Sequence, residues 1–192
     1  TTWDPATQHE FLTIIDEETD HLKQLIEDML ESARLQSKTL QFRFAPLRLD
    51  ALIRDIASRV LLHHPQLKVT LDFEAVPPIM GDSMRLSQIF ENLFGNAIKY
   101  APGSPLTISI RNTKKKMTVT FADRGEGIPE DFLPFIFERF YRVPGDRSVT
   151  GTGLGLYICK QIILAHHGKI WAESVLDKGT TFFIELPIQK MI

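Results

Sequence analysis

Two pairs of strand-like segments in this 192-residue chain are joined by connections too short for a crossover. Residues 106–111 and 117–122 each alternate apolar and polar positions, with only residues 112–116 between them. Residues 169–175 and 180–186 repeat the arrangement, with only residues 176–179 between. Parallel neighbours need a connection of about a dozen residues or more, so these pairs must fold back on themselves. Residues 67–73 add a further alternating run through Leu67, Val69, Leu71 and Phe73, followed by a short extended piece at Ile79 and Met80. Helical spacing interleaves with the strands at 49–62 (Leu52, Ile53, Ile56, Val60), at 83–100 and at 154–167. The expected class is therefore α+β: a two-layer α/β sandwich with a mixed, mostly antiparallel sheet and helices on one face.

A long N-terminal helix precedes it. From Asp4-Pro5 to near Ser37, Phe11, Ile15, Leu22, Ile26, Met29 and Ala33 recur at three-, four- and seven-residue spacing, and Pro5 suits a first-turn position. Such a helix is about 45 Å long at 1.5 Å per residue, too long to be covered by a domain of this size. Its apolar stripe therefore calls for a partner helix outside this chain. The expected division is residues 1–37 as this helix, 38–48 as a polar linker ending in Ala45-Pro46-Leu47, and 49–190 as the main domain.

Charge narrows the function. A formal net charge of -2 argues against a nucleic-acid surface, which needs an excess of Lys and Arg. The one basic run, Lys114-Lys115-Lys116, reads as a solvated hairpin turn. The single cysteine, Cys159, excludes an internal disulfide and a Cys-based zinc site, and its apolar neighbours mark it as core. No apolar run approaches the length of a membrane span and Thr1-Thr2-Trp3-Asp4-Pro5 is no signal peptide, so the expectation is a cytoplasmic chain without membrane contact. Its abrupt start on a helix suggests a piece of something longer.

Three segments carry residues suited to chemistry. Gly151-Thr152-Gly153-Leu154-Gly155-Leu156 opens a helix, and glycines leave backbone N–H groups unobstructed at the positive end of a helix dipole, a setting that suits a polyphosphate. Asn92 and Asn96 are four apart and share a helix face, with Lys99 further along the same side. Carboxamide oxygens suit Mg²⁺ where phosphates supply the negative charge, and Lys99 could meet a phosphate. A solvated polar face is the plainer account, yet two asparagines in mid-helix are unfavourable and a surface does not require them. Asp123-Arg124-Gly125-Glu126-Gly127 follows a strand end, where a carboxylate can accept from an exocyclic amine. Taken alone, an ordinary turn would explain it.

Taken together, these segments resemble a known family. Asn92-Leu93-Phe94-Gly95-Asn96-Ala97-Ile98-Lys99-Tyr100, then Asp123-x-Gly125-x-Gly127-Ile128, then Phe135-Ile136-Phe137-Glu138-Arg139-Phe140-Tyr141-Arg142, then the glycine run are similar in order and spacing to the N, G1, F and G2 boxes of bacterial two-component sensor histidine kinases. The resemblance extends from about Leu49 to Leu186 and includes Gly179-Thr180-Thr181-Phe182. It implies the ATP-binding fold shared with Hsp90-like and gyrase-like ATPases. Carried over by position, Asp123 would bind the adenine amine, with Gly125 and Gly127 in its loop, and Tyr100 and Ile128 would pack on the ring. Asn96 would hold Mg²⁺ with help from Asn92, and Lys99 and Arg142 would face the phosphates. The backbone of Gly151, Thr152, Gly153, Leu154, Gly155 and Leu156 would cap them, and residues 143–150 would form a lid.

The implied activity is that of a protein-histidine kinase, passing the ATP γ-phosphate to a histidine on a dimerisation helix. Residues 17–35 resemble the second helix of the dimerisation hairpin, and the acceptor-bearing first helix is missing, so autophosphorylation of this chain alone is not expected. A homodimer and, indirectly, a response regulator are the implied partners. His9-Glu10-Phe11-Leu12-Thr13 imitates the phosphoacceptor spacing, but Ile14 replaces the usual proline, and His9 reads as a surface histidine. His63, His64, His166 and His167 read as helix-end histidines. Two other readings remain open: a non-catalytic nucleotide-sensing or dimerisation module, and an ATPase or serine-directed kinase of the same superfamily.

Overall fold

A computed structural model describes residues 4–37, 39–144 and 151–188. The chain divides into two compact units, Thr1–Leu40 and Gln41–Ile192. Among the described residues no helix is long and apolar enough to cross a membrane.

The first unit holds α1, Pro5–Gln36. Asp4 caps it: its Oδ1 accepts from the backbone N–H of Ala6 at 2.9 Å and of Thr7 at 3.1 Å, and Pro5 occupies a first-turn position where its missing N–H costs nothing. Phe11, Ile15, Leu22, Ile26 and Met29 are exposed along it.

The second unit runs β1 (Ala45–Leu47), α2 (Leu49–His63), β2 (Val69–Phe73), β3 (Ile79–Gly81), α3 (Ser83–Tyr100), β4 (Leu106–Asn112), β5 (Lys116–Ala122), a 3-10 turn (Glu130–Phe135), α4 (Gly155–Ala165), β6 (Lys169–Val175) and β7 (Gly179–Pro187). The main sheet has the order β2-β4-β5-β7-β6. Only β2 and β4 pair in parallel, and the connection between them contains α3, long enough for the crossover. Every other pair is antiparallel.

Alternation sorts the two faces of the sheet. Leu106, Ile108 and Ile110 of β4, Met117, Val119 and Phe121 of β5, and Phe182, Ile184 and Leu186 of β7 are buried on the helix side. Phe121 stacks on Phe90 of α3 with centroids 5.8 Å apart and meets Phe94 edge-on at 5.5 Å, so α3 lies across the middle of the sheet. The opposite face is polar or amphipathic: Ser109 and Thr120 hydroxyls meet at 2.7 Å, Lys116 pairs with Glu185 at 2.8 Å, Arg111 pairs with Asp72, and Trp171 stacks on Phe183. One face is therefore core and the other open, as short antiparallel connections demand.

One local reading needs correction and another is extended. Residues 45–47, expected as linker, form β1 and pair with β3, and the compact unit already begins at Gln41. A three-residue strand containing Pro46 shows no alternation of its own, and its partner lies more than thirty residues away. The reading extended is that of His166 as a helix-end histidine. It does cap α4, but its ring is 3% exposed. Its Nδ1 contacts Ile162 O at 2.8 Å, its Nε2 accepts from Asp82 N at 3.0 Å, and Phe42 and Phe44 pack around it. Cys159 is buried in the same helix.

Candidate functional site

Asp123 follows the last residue of β5, where the chain leaves the sheet. Its Oδ1 accepts from Gly125 N at 2.9 Å and from Thr180 N at 3.1 Å, while its own N–H donates to Thr180 O at 2.9 Å. Two N–H donors on one oxygen fix the carboxylate, and Oδ2 has no partner among the described residues. A fixed, partly accessible carboxylate oxygen of this kind is an acceptor waiting for a donor.

The loop after Asp123 is held on both sides. A Cβ on Gly125 would sit 2.7 Å from Tyr100 O and from the Ala101 Cβ, so this glycine lets the loop lie against the end of α3. Gly127 has φ +75° and abuts the Val175 carbonyl, a left-handed and crowded position that only glycine fills without strain. Asp177 N donates to Glu126 O at 2.7 Å, Ser104 Oγ to Arg124 O at 3.2 Å and Ile128 N to Ser174 Oγ at 2.7 Å. Tyr100, whose carbonyl meets this loop at Gly125, is 46% exposed.

Helix α3 presents the amide pair. Asp82 caps it, Oδ1 accepting from Arg85 N at 3.2 Å, and its apolar face buries Leu86, Ile89, Phe90, Leu93, Phe94 and Ala97. Asn92 and Asn96 fall on the other side, half-buried, with Asn96 Nδ2 donating to Asn92 Oδ1 at 3.4 Å. That bond uses a donor of Asn96 and leaves its carbonyl oxygen as the acceptor. Among the described residues no group of three or more His, Cys, Asp or Glu could hold a metal, so a cation here would rest on neutral amide oxygens and on whatever anion it accompanies. Lys99 is exposed in the last turn of the same helix.

The glycine run meets this helix. The side chain of Asn92 lies so close to Gly155 that any Cβ there would collide with it, so the first residue of α4 is seated on the amide pair. Leu154 N donates to Thr152 Oγ1 at 3.1 Å, and among the described residues no side chain caps α4. The first N–H groups of α4, those of Gly155, Leu156 and Tyr157, have no acceptor within the helix and make an anion-binding end. Leu154 itself is 0% exposed and its N–H is already given to Thr152, so in this structure it presents nothing to a ligand. Gly153, at φ +69°, packs 2.7 Å (as a Cβ would) from the Phe140 carbonyl carbon.

That contact brings in the aromatic run. Phe137 is buried edge-on to Phe182 of β7 with centroids 6.4 Å apart, and Glu138 pairs with Lys160 of α4 at 3.1 Å. Phe140 adopts φ +62°, which costs a non-glycine residue about 1–2 kcal/mol. Arg142 follows, exposed. Of the expected lid, residues 145–150 lie outside the described residues. Contacts thus run from Asp123 to the end of α3, from α3 to the start of α4, and from the glycine run to the aromatic segment. Sequence reasoning did not single out Ser174, whose hydroxyl ties this loop to Thr180. A polar residue on an edge strand carries no signal of its partner.

Comparison with known proteins gives the same picture. The family described as "Histidine kinase-, DNA gyrase B-, and HSP90-like ATPase" matches residues 81–190. The chain is 36% identical over 172 residues to an adaptive-response sensory kinase, SasA, of Rippkaea orientalis, covering 87% of this chain and 44% of the relative. It thus spans about half the length of the curated relatives it matches. Full-length ShkA, solved in complex with AMPPNP, superposes with a TM-score of 0.84 at 27% identity, over 100% of this chain and 41% of that one. The histidine kinase ThkA, solved in complex with the response regulator protein TrrA, superposes with a TM-score of 0.77 at 26% identity, over 98% and 53%.

Proposed function

Because this chain belongs to the histidine kinase-, DNA gyrase B- and HSP90-like ATPase family and is the ATP-binding domain of a sensor histidine kinase, we propose that it positions ATP for transfer of the γ-phosphate to a histidine. Asp123 Oδ2 accepts from the adenine amine, and Tyr100 and Ile128 flank the ring. Gly125 and Gly127 let the loop approach it. The N–H groups at the start of α4, with the backbone of Gly151, Thr152 and Gly153, cap the phosphates, and Lys99 and Arg142 supply positive charge. The AMPPNP held by ShkA supports an adenine nucleotide at this place.

The amide pair fits Mg²⁺: Asn96 would hold it through its carbonyl oxygen and Asn92 would orient that group. When bound, the ion supplies charge neutralisation for the phosphates. In the transfer, the bond from the γ-phosphorus to the bridging oxygen breaks, a bond to an imidazole nitrogen forms, and ADP leaves. The residues of this site position and neutralise, and none is placed as a base, which suits a nucleophile with its own lone pair. The imidazole comes from a dimerisation helix; α1 serves as the second helix of that hairpin, and the unit that begins at Gln41 as the catalytic domain. The parent works as a homodimer, with this part of it in the cytoplasm, and passes phosphate on to a response regulator, as the ThkA–TrrA complex supports.

The observation that carries this reading is the Asp123 carboxylate, with one oxygen held by two backbone donors and the other without a partner among the described residues. Calorimetric titration of this chain with ATP, with and without Mg²⁺, tests it. ATP should bind more tightly with Mg²⁺, and Asp123→Asn should weaken binding about ten-fold or more, the value of a hydrogen bond to a charged acceptor. ATP binding that is indifferent to Asp123 would sink the assignment.

A further inference from the structure

We propose that Ser174 is the positioning residue that holds the base-recognition loop in register with Asp123, and that adenine is selected over guanine through it. This rests on the nucleotide reading above. Ser174 Oγ lies 2.7 Å from Ile128 N, 2.9 Å from Gly179 O and 2.9 Å from Thr180 Oγ1. A hydroxyl has one proton to give and two lone pairs to receive with. The proton goes to Gly179 O, and the lone pairs take the Ile128 N–H and the Thr180 O–H. All three capacities are used.

Thr180 faces Ser174 across the β6–β7 ladder, and its N–H is the donor that, with Gly125 N, fixes Asp123 Oδ1. One hydroxyl therefore joins the backbone just beyond Gly127 to the strand that aims the carboxylate. Ser174 is the acceptor for the Ile128 N–H, so its loss leaves that donor unpaired beside the site. With Oδ1 committed, Asp123 offers Oδ2 only as an acceptor. Adenine places an amine donor at that edge, whereas guanine places a carbonyl oxygen that would face the carboxylate. Rejection of guanine requires that the ring cannot shift, and the Ile128 backbone is the wall that Ser174 holds.

The test uses the whole chain and the variants Ser174→Ala and Ser174→Thr. MgATP and MgGTP are titrated calorimetrically, GTP by displacement, and exchange of the Ile128 amide proton is followed by NMR without nucleotide. Ser174→Ala should lose about ten-fold in ATP affinity, keep its weaker GTP affinity, and exchange Ile128 about ten-fold faster. Ser174→Thr keeps the hydroxyl and should stay near the parent in all three. Unchanged ATP affinity in the alanine variant, or equal losses for ATP and GTP with no rescue by threonine, would overturn the inference while leaving the nucleotide reading intact. A parent chain that binds no ATP would overturn the nucleotide reading and this inference with it.

Discussion

His166 closes the last turn of α4 with its ring in the core, accepting from Asp82 N while its other nitrogen contacts Ile162 O. Burial pushes the imidazole below its ordinary value, and the hydrogen bond to Ile162 and the charge of Asp82 offset this only in part, while His167 adds to it. Protonated, it could no longer accept from Asp82 N. The unfolded chain binds a proton near pH 6.5 and the folded chain only at lower pH, so stability is complete above about pH 6.5 and falls as pH drops below it. Asp82 acts in a separate, more acidic window. Desolvation works against its ionisation, but N–H donors from Arg43, Arg85 and Met84 hold its carboxyl below the usual value, so its contribution is lost only below about pH 4. Melting followed from pH 8 to 5 should show the midpoint falling from about 6.5 downward. In His166→Gln that acid slope should flatten, with about 1–2 kcal/mol lost at pH 8. An unchanged slope would mean that another group carries it.

Helices α3 and α4 meet at Asn92 and Gly155, and the chain before α4 must turn sharply to allow it. Gly153 makes that turn in the left-handed region against the Phe140 backbone, whereas Gly95, inside α3, has nothing within 4 Å of where a Cβ would stand. The two glycines should therefore respond in opposite directions. Gly153→Ala should cost about 1–2 kcal/mol from backbone strain and weaken ATP binding by displacing the start of α4. Gly95→Ala should stabilise the fold by about 0.5–1 kcal/mol, because alanine is the better helix former and meets no neighbour. Chemical denaturation of both variants decides this; equal effects would show that the glycine run tolerates side chains. Helix α3 itself was legible in the sequence at both ends, Ser83 and Tyr100, because its apolar face is a local signal. The residue on which α4 rests was not, since Asn92 and Gly155 are more than sixty positions apart.

At the level of the whole molecule, the proposed reading gives nucleotide binding to one unit and dimerisation to the α1 unit, and the acceptor histidine to another segment. With a dimerisation hairpin bearing the acceptor histidine supplied in trans, labelled ATP should leave acid-labile phosphate on the hairpin, while the chain alone takes none. His9 sits within the unbroken α1, followed by Ile14 where the acceptor motif has proline. Label on His9 would reverse that assignment. The sequence by itself determined the class of the fold and the identity of the boxes. Alternation in β4, β5, β6 and β7 and the lengths of their connections are properties of neighbours along the chain, and so are the spacings of Asn92 with Asn96 and of Asp123 with Gly125. Only the tertiary structure decided that residues 45–47 pair with β3, that His166 is a core residue bound to Asp82, and that Ser174 holds Ile128. Each of these depends on a hydrogen-bond partner tens of residues away. A polar side chain declares its chemistry in the sequence, but whether that chemistry is satisfied by water or by the protein is settled only when the chain closes around it.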